Sequence, residues 1–79
     1  MIKLLCFAGI AEKVESDELL LDIKSITVKE LKQLLAEQYP VIQEDLERAM
    51  VAVNEEFTEE SHVVTSADTI ALIPPVSGG

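Results

Sequence analysis

The chain has 79 residues, of which 48 % are hydrophobic, enough for one domain with one compact core. Its 15 acidic and 6 basic residues give a formal net charge of −9 at pH 7, which argues against nucleic acid and anionic membranes as partners, since both are bound through Lys and Arg. The one cysteine, Cys6, excludes an internal disulfide framework, and no stretch approaches the roughly 20 apolar residues that span a bilayer, so we expect a cytoplasmic protein.

The first half of the chain predicts two strands and one main helix. The segments 2–8 ("IKLLCFA") and 17–23 ("DELLLDI") have the apolar composition of strands, and a short helical turn at 9–14 lies within the hairpin that they form. Thr27 and Glu30 match a T-x-x-E capping box, in which each side chain satisfies an amide at the helix start. Apolar residues then follow at helical spacing: Val28, Leu31, Leu34 and Leu35.

The second half predicts a short helix and three further strands. Pro40 ends the main helix, because the residue before a proline disfavours helical geometry. The expected segments are a helix at 41–49, a strand at 50–54, an acidic turn at 54–60, a strand at 62–65, a turn at 66–68 and a strand at 69–73. The only histidine, His62, is thereby assigned to a strand. Pro74 cannot donate to a sheet ladder, so strand pairing should stop there.

This order of elements predicts a two-layer α+β domain in which one main helix covers one face of the sheet. Strand 2–8 is apolar on both of its faces, and Leu5 and Phe7 share one of them. That face should carry an exposed apolar patch of the kind that marks a partner site, unless loops or the segment 41–49 cover it.

The end of the chain, "IPPVSGG", is its most specific feature. Together with "IKLLCFA" near the start and "VN" before an acidic turn, it resembles the sulfur-carrier small subunits of molybdopterin synthase, the MoaD-type proteins of the ThiS/MoaD ubiquitin-like family. The resemblance covers nearly the whole chain. It implies a β-grasp domain over residues 1–73, with a mixed sheet packed on one main helix, and a flexible, extended C-terminal Gly-Gly tail over residues 74–79.

The resemblance implies that the C-terminal carboxylate of Gly79 carries the chemistry. An adenylating enzyme similar to MoeB uses ATP to join this carboxylate to AMP, and sulfur from a sulfur donor protein then replaces AMP, leaving a thiocarboxylate. No metal or other bound cofactor is expected on the carrier. A large catalytic subunit similar to MoaE then receives the tail. Sulfur delivery there converts cyclic pyranopterin monophosphate into the dithiolene of molybdopterin, for molybdenum cofactor biosynthesis, in a heterotetramer of two small and two large subunits.

The composition of the tail suits insertion into a narrow active site. Besides Gly79, the candidate insertion residues are Pro74, Pro75, Val76, Ser77 and Gly78. Glycines lack a Cβ atom and thread a tunnel at little steric cost. Prolines restrict φ and hold the start of the tail extended, which lowers the entropy lost on insertion. The valine offers a small apolar anchor and the serine a hydrogen bond to the partner.

The candidate docking patch for both partners consists of Leu5, Phe7 and Leu72, residues that would equally suit an ordinary core. The acidic turn offers carboxylates that could face a basic partner surface, but a solvated turn explains them better. These residues are Glu55, Glu56, Glu59 and Glu60.

An independent enzyme is not expected, since Cys6 should be buried and inert, His62 has no nearby catalytic partner in the sequence, and no metal motif is present. Three other roles stay open. The protein could be a sulfur carrier for thiamin thiazole synthesis or tRNA thiolation, a ubiquitin-like modifier joined to target lysines, or a binding module without terminal chemistry. The acceptor of the C-terminal carboxyl group distinguishes them.

Overall fold

A computed structural model describes residues 1–74 of the protein. Its elements are β1 (Ile2–Cys6), α1 (Ala8–Val14), β2 (Glu18–Leu21), β3 (Ser25–Thr27), α2 (Val28–Gln38), a 3-10 turn (Pro40–Ile42), α3 (Gln43–Arg48), β4 (Met50–Val53), β5 (Glu56–Phe57), β6 (Val63–Thr65) and β7 (Thr69–Ile73). The predictions made for five tail residues lie outside the described part of the chain: Pro75, Val76, Ser77, Gly78 and Gly79.

Five strands form a mixed main sheet in the order β2-β1-β7-β4-β5. β1 runs parallel to β7 and antiparallel to β2, while β4 runs antiparallel to both β7 and β5. β3 and β6 pair separately as a short antiparallel ribbon. The last strand, β7, therefore lies in the centre of the main sheet, between β1 and β4. The chain after Ile73 leaves from this central position.

The core lies between one face of the main sheet and the helices. Leu4, Ile70 and Leu72 contribute fully buried side chains from the sheet, and Leu31 and Leu35 contribute them from α2. Burial of each such side chain stabilises the fold by roughly 1.5–3 kcal/mol. Within residues 1–74 no polar or charged residue is buried, so the core is apolar throughout.

The predicted capping box fixes the start of α2. The Thr27 hydroxyl donates to Glu30 Oε1 at 2.9 Å and accepts from the Glu30 backbone N–H at 3.1 Å, while the Thr27 backbone N–H donates to Glu30 Oε1 at 3.2 Å. The hydroxyl and then the amide of Thr27 hold the pKa of the Glu30 carboxyl below its ordinary value. The charged carboxylate is thus the form that the cap favours.

The segment 41–49 packs on the helical side of the domain. Ile42 and Leu46 are buried in the core beside α2, and Lys32 Nζ donates to the backbone carbonyl of Ala49 at 2.9 Å. The prediction of a short helix here is confirmed, although a 3-10 turn precedes α3. Because this segment lies on the helical side, it leaves the opposite face of the sheet open.

Three local assignments from the sequence were wrong. Residues Ser25–Thr27 form β3, which the sequence pattern missed, and the acidic turn 54–60 contains β5, Glu56–Phe57. His62 lies just before β6 rather than within a strand. Strands of two or three residues depend on the neighbour that the fold supplies, so their own composition predicts them poorly. No helix of the described part is long and apolar enough to cross a membrane.

Candidate functional site

The face of the main sheet that points away from the helices carries a continuous row of side chains. The strand register places Ala71 opposite Leu5 on one side and opposite Ala52 on the other, and Ala52 lies opposite Phe57. Alternate residues of a strand point to opposite faces. The row therefore crosses four strands on the face away from the core, and we call this surface the open face.

A shallow groove runs over the open face. It is lined by Leu5, Phe7, Ala52, Glu55, Phe57, Thr69, Ala71 and Ile73, and we call it the open-face groove. Phe7 and Phe57 are 45 % and 60 % exposed, although large aromatic side chains normally gain from burial. Single exposed apolar residues are common on protein surfaces, whereas a contiguous apolar surface marks an interaction site. The open-face groove is therefore the candidate docking surface.

The groove contains two of the three residues predicted for the docking patch. Leu5 and Phe7 line it, which is consistent with their predicted place but does not test their role. The assignment of Leu72 to the patch is wrong, because its side chain is fully buried in the core. The neighbours Ala71 and Ile73 take the open-face positions instead. The alternation within "TIALI" leaves the choice of face undecided until the pairing of β7 with β1 is known.

Sequence reasoning missed Phe57, Met50 and Ile73 on this face. Phe57 lies in a strongly acidic segment, and an aromatic residue without an apolar neighbour on either side was a usable signal for an exposed contact residue. Met50 is 51 % exposed and pairs with Ile73 across β4 and β7. Its place beside the end of the central strand depends on long-range pairing, which the local sequence does not encode.

The C-terminal tail starts at the edge of the open-face groove. β7 ends at Ile73, which lines the groove, and Pro74 follows as a half-buried, unpaired residue. On one side of this point Phe7 follows the end of β1, and on the other side Met50 starts β4. A partner that covers the groove would therefore also contact the root of the tail.

A tight hairpin turn lies at the other end of the groove, away from the start of the tail. Asn54 and Glu55 form the two-residue loop between β4 and β5, and both have left-handed φ values, 53° and 72°. This matches a type I′ turn, whose twist suits two-residue hairpins. The Asn54 amide donates from Nδ2 to Asp68 Oδ1 at 2.9 Å, and its Oδ1 accepts from the Thr69 N–H at 3.0 Å. These bonds attach the hairpin to the start of β7.

Asp68 is the anchor of this hairpin. Its Oδ2 accepts from the Thr65 N–H at 2.8 Å, and its Oδ1 accepts from Asn54. The Thr65 amide and then the Asn54 side chain hold the pKa of the Asp68 carboxyl below its ordinary value. Hydrogen bonds donated to a carboxylate favour its charged form, so the anchor is fully formed at neutral pH.

The open face carries an ion pair and a carboxylate that lies outside it. Lys3 lies on this face, where its Nζ is 3.6 Å from Glu18 Oε2. The ion pairs of residues 1–74 are this one and Lys13–Asp45, so the carboxylate of Glu55 has no cationic partner within the described part of the chain. Glu55 is also the one charged residue that lines the groove.

Cys6 carries the one thiol of the chain. Cys6 is buried, as predicted, and burial together with the negative charge of Asp17 raises the pKa of its thiol, which disfavours the reactive thiolate. Residues 1–74 contain no group of three or more His, Cys, Asp or Glu side chains arranged to hold a metal ion.

Comparison with known proteins places the whole chain in one family. The model of the ThiS family matches residues 4–79. The chain belongs to the ThiS family. Two relatives are described as molybdopterin synthase sulfur carrier subunits. The one from Dictyostelium discoideum is 37 % identical over 98 % of this chain and 94 % of its own length. The one from Arabidopsis thaliana is 38 % identical over 99 % of this chain and 82 % of its own length.

Solved structures share the architecture of this ThiS-family chain. SAMP1 from Haloferax volcanii aligns with a TM-score of 0.82 and 25 % identity, covering 99 % of this chain and 98 % of that one. A chain from the protein–protein complex of subunits 1 and 2 of molybdopterin-converting factor from Helicobacter pylori 26695 aligns with a TM-score of 0.69 and 22 % identity, covering 99 % and 97 %. The predicted β-grasp fold and the resemblance noted in the sequence are confirmed.

Proposed function

We propose that this ThiS-family protein is the sulfur-carrier small subunit of a molybdopterin synthase. The observation that carries the proposal is that the central strand β7 ends at the edge of an exposed apolar groove and is followed in the sequence by the Gly-Gly tail. A partner that docks on the groove would therefore receive the C-terminus of the chain. The names of the relatives from Dictyostelium discoideum and Arabidopsis thaliana support the same function.

The proposed chemistry takes place at the carboxyl group of Gly79. A free carboxylate is a poor electrophile, so an adenylating enzyme first joins it to the α-phosphate of ATP, and pyrophosphate leaves. A persulfide of the donor protein then attacks the acyl carbon and AMP leaves, which gives an acyl disulfide that still joins carrier and donor. A thiol then attacks the donor's sulfur in this S–S bond, forms a disulfide with the donor and releases the carrier as its thiocarboxylate. The carrier supplies the terminal group and the surface by which the enzyme recognises it. Covalently held sulfur is thus the carrier's cargo.

The proposed acceptor is cyclic pyranopterin monophosphate in the pocket of a large catalytic subunit. Two deliveries of sulfur from the Gly79 thiocarboxylate would build the dithiolene of molybdopterin. A structural neighbour described as part of a complex of subunits 1 and 2 of molybdopterin-converting factor supports a large partner subunit. We propose the same partner for this chain, in an assembly of two small and two large subunits in the cytoplasm.

A second candidate function is that of a protein modifier, in which Gly79 forms an isopeptide bond with a target lysine. The likeness to SAMP1, and to a chain described as small archaeal modifier protein 1 from the same organism, favours keeping this candidate. A third is a carrier that supplies sulfur for thiamin or tRNA thiolation. All three use the same terminal carboxyl group and differ only in the acceptor.

The mass of the intact protein tests the terminal chemistry. The purified chain is incubated with ATP, an adenylating enzyme of the family, a persulfide sulfur donor and a thiol reductant, and the intact chain is weighed. We expect the exchange of one oxygen for one sulfur at Gly79, and no exchange in a chain that lacks Gly79. An unchanged mass with an enzyme that thiolates its own carrier in parallel would contradict the proposal.

A further inference from the structure

The open-face groove contains one charged side chain, and that side chain constrains the partner. Seven of the eight residues that line the groove are apolar or uncharged, and the eighth is Glu55. A protein that covers the groove removes water from this carboxylate. Removing water from an ionised group is unfavourable unless a cation or hydrogen-bond donors replace the lost solvation.

The fold keeps Glu55 at this position. The side chain of the preceding residue, Asn54, bonds to Thr69 at the start of β7 and to Asp68 just before it, and the Asn54 backbone N–H donates to the Thr69 carbonyl at 2.8 Å. The turn cannot move away from the groove without breaking these bonds. Docking therefore has to accommodate the carboxylate where it lies.

Glu55 is distant from the root of the tail. The turn lies beside Thr69, at the start of β7, and the tail leaves after Ile73, at its end. Four residues of extended strand separate these ends by about 13 Å. A contact at Glu55 and insertion of the tail are thus two well-separated points, which together fix the rotation of the carrier on its partner.

The charge balance of the chain indicates the sign of the partner's surface. The chain carries a net charge of −9, and Lys3 on the open face is already paired with Glu18. A partner surface of positive potential is therefore attracted to this chain. A cation placed opposite Glu55 would replace the solvation that this carboxylate loses on docking.

We propose that the carboxylate of Glu55 forms an ion pair with a Lys or Arg side chain of the large subunit, at the end of the interface far from the inserted tail. This inference rests on the proposed function. The apolar part of the groove supplies contact area, and the ion pair selects the orientation in which the tail enters the pocket. Such a charged contact affects specificity and association rate as well as affinity.

Charge reversal tests the ion pair. The large subunit is titrated with the wild-type chain, with Glu55→Gln and Glu55→Lys, and with Glu37→Lys, which makes the same charge change at an exposed position of α2 on the helical side. We expect Glu55→Lys to raise Kd by at least about tenfold at low salt, Glu55→Gln to raise it less, and Glu37→Lys to change it by less than about twofold. A Lys or Arg to Glu change at the partner position on the large subunit should restore binding of Glu55→Lys, and it should not improve binding of the wild-type chain.

The possible results separate the inference from the proposed function. If the wild-type chain binds and Glu55→Lys binds equally well, the ion pair is wrong and the proposed function stands. The proposed ion pair is also wrong if Glu55→Lys stays weak with every Lys or Arg to Glu variant of the large subunit's surface. If the folded wild-type chain fails to bind the large subunit at all, the proposed function falls and the inference falls with it. Circular dichroism of each variant verifies that it is folded.

Discussion

Met50 lies directly opposite Ile73 in the antiparallel pairing of β4 with β7, on the face of the sheet away from the core. Ile73 is the last residue of the central strand, so this pair marks the point where the chain leaves the sheet. Met50 is 51 % exposed and has no part in the buried cluster that stabilises the domain. Its position suits contact with a partner that receives the tail.

Placing a carboxylate at this point should weaken docking. We expect Met50→Asp to raise the Kd for the large subunit by more than about tenfold, because a buried, unpaired charge would face an apolar surface. The stability of the isolated domain should change little. Val41→Asp is the matched control, since Val41 is 58 % exposed within the 3-10 turn on the helical side. Equal binding by both variants would show that the tail root makes no contact.

Substitution of Leu72 should lower the stability of the domain, whereas substitution of Phe7 should weaken its binding to the large subunit. Leu72 is fully buried, so Leu72→Ala should lower the free energy of unfolding by about 2–5 kcal/mol. Phe7 is 45 % exposed, so Phe7→Ala should leave stability nearly unchanged and weaken binding to the large subunit. Urea unfolding and calorimetric titration measure the two effects. The reverse pattern would contradict the assignment of Leu72 to the core and of Phe7 to the docking surface.

The face of Leu72 also shows where sequence reasoning stops. Strand 69–73 and the end of pairing at Pro74 were predicted correctly, because an apolar run followed by proline is a local signal. The face to which Leu72 points was predicted wrongly, because pairing with the neighbouring strand decides which residues of a strand point to the core. Leu4 of β1 is buried and lies opposite Ile70, so Ile70 and Leu72 point to the core as well. A shift of one residue reverses the two faces.

Other features of the fold were likewise predictable only where a local sequence pattern defines them. The capping box of Thr27 and Glu30 was predictable, since three residues of spacing and two side-chain types define it. β3 was not, because it depends on pairing with β6, a strand that is distant in the sequence. The exposure of Phe57 was missed, although its polar neighbours in the sequence were a usable signal. The open-face groove could be anticipated from the two apolar faces of β1, but most of its lining residues come from β4, β5 and β7.

Replacing Glu55 with glycine should stabilise the hairpin turn. Glu55 has φ of 72°, a left-handed conformation that disfavours a residue with a Cβ atom, and glycine is preferred at the second position of a type I′ turn. We expect Glu55→Gly to raise the free energy of unfolding by about 1 kcal/mol.

The adjacent residue provides the control. Glu56 lies in β5 with an ordinary negative φ, so Glu56→Gly should destabilise the domain. The further inference predicts that Glu55→Gly also weakens binding to the large subunit. A loss of stability in Glu55→Gly, measured by urea unfolding, would contradict the left-handed turn.

Acid should weaken the hairpin anchor at Asp68. The folded state lowers the pKa of this carboxyl, so the unfolded chain binds the proton first as the pH falls. The stabilisation is therefore complete above the unfolded pKa of about 3.9 and is lost as the pH falls through the lower folded pKa. Asp68→Asn should be less stable than wild type at pH 7 and should approach it in strong acid.

Thermal unfolding between pH 7 and pH 2 measures this difference. Asp22→Asn, in the exposed segment after β2, makes the same chemical change away from the anchor. A stability gap for Asp68→Asn that stayed constant over the whole pH range would show that the charge of Asp68 contributes nothing to the anchor.

Sulfur transfer itself tests the proposed function most directly. The thiocarboxylated chain is mixed with the large synthase subunit and cyclic pyranopterin monophosphate, and the dithiolene product is quantified against the thiocarboxylate consumed. We expect two carriers consumed for each molybdopterin formed, and none formed by a chain that lacks Gly79. A large subunit that makes product with its own carrier but none with this thiocarboxylated chain would contradict the proposed function.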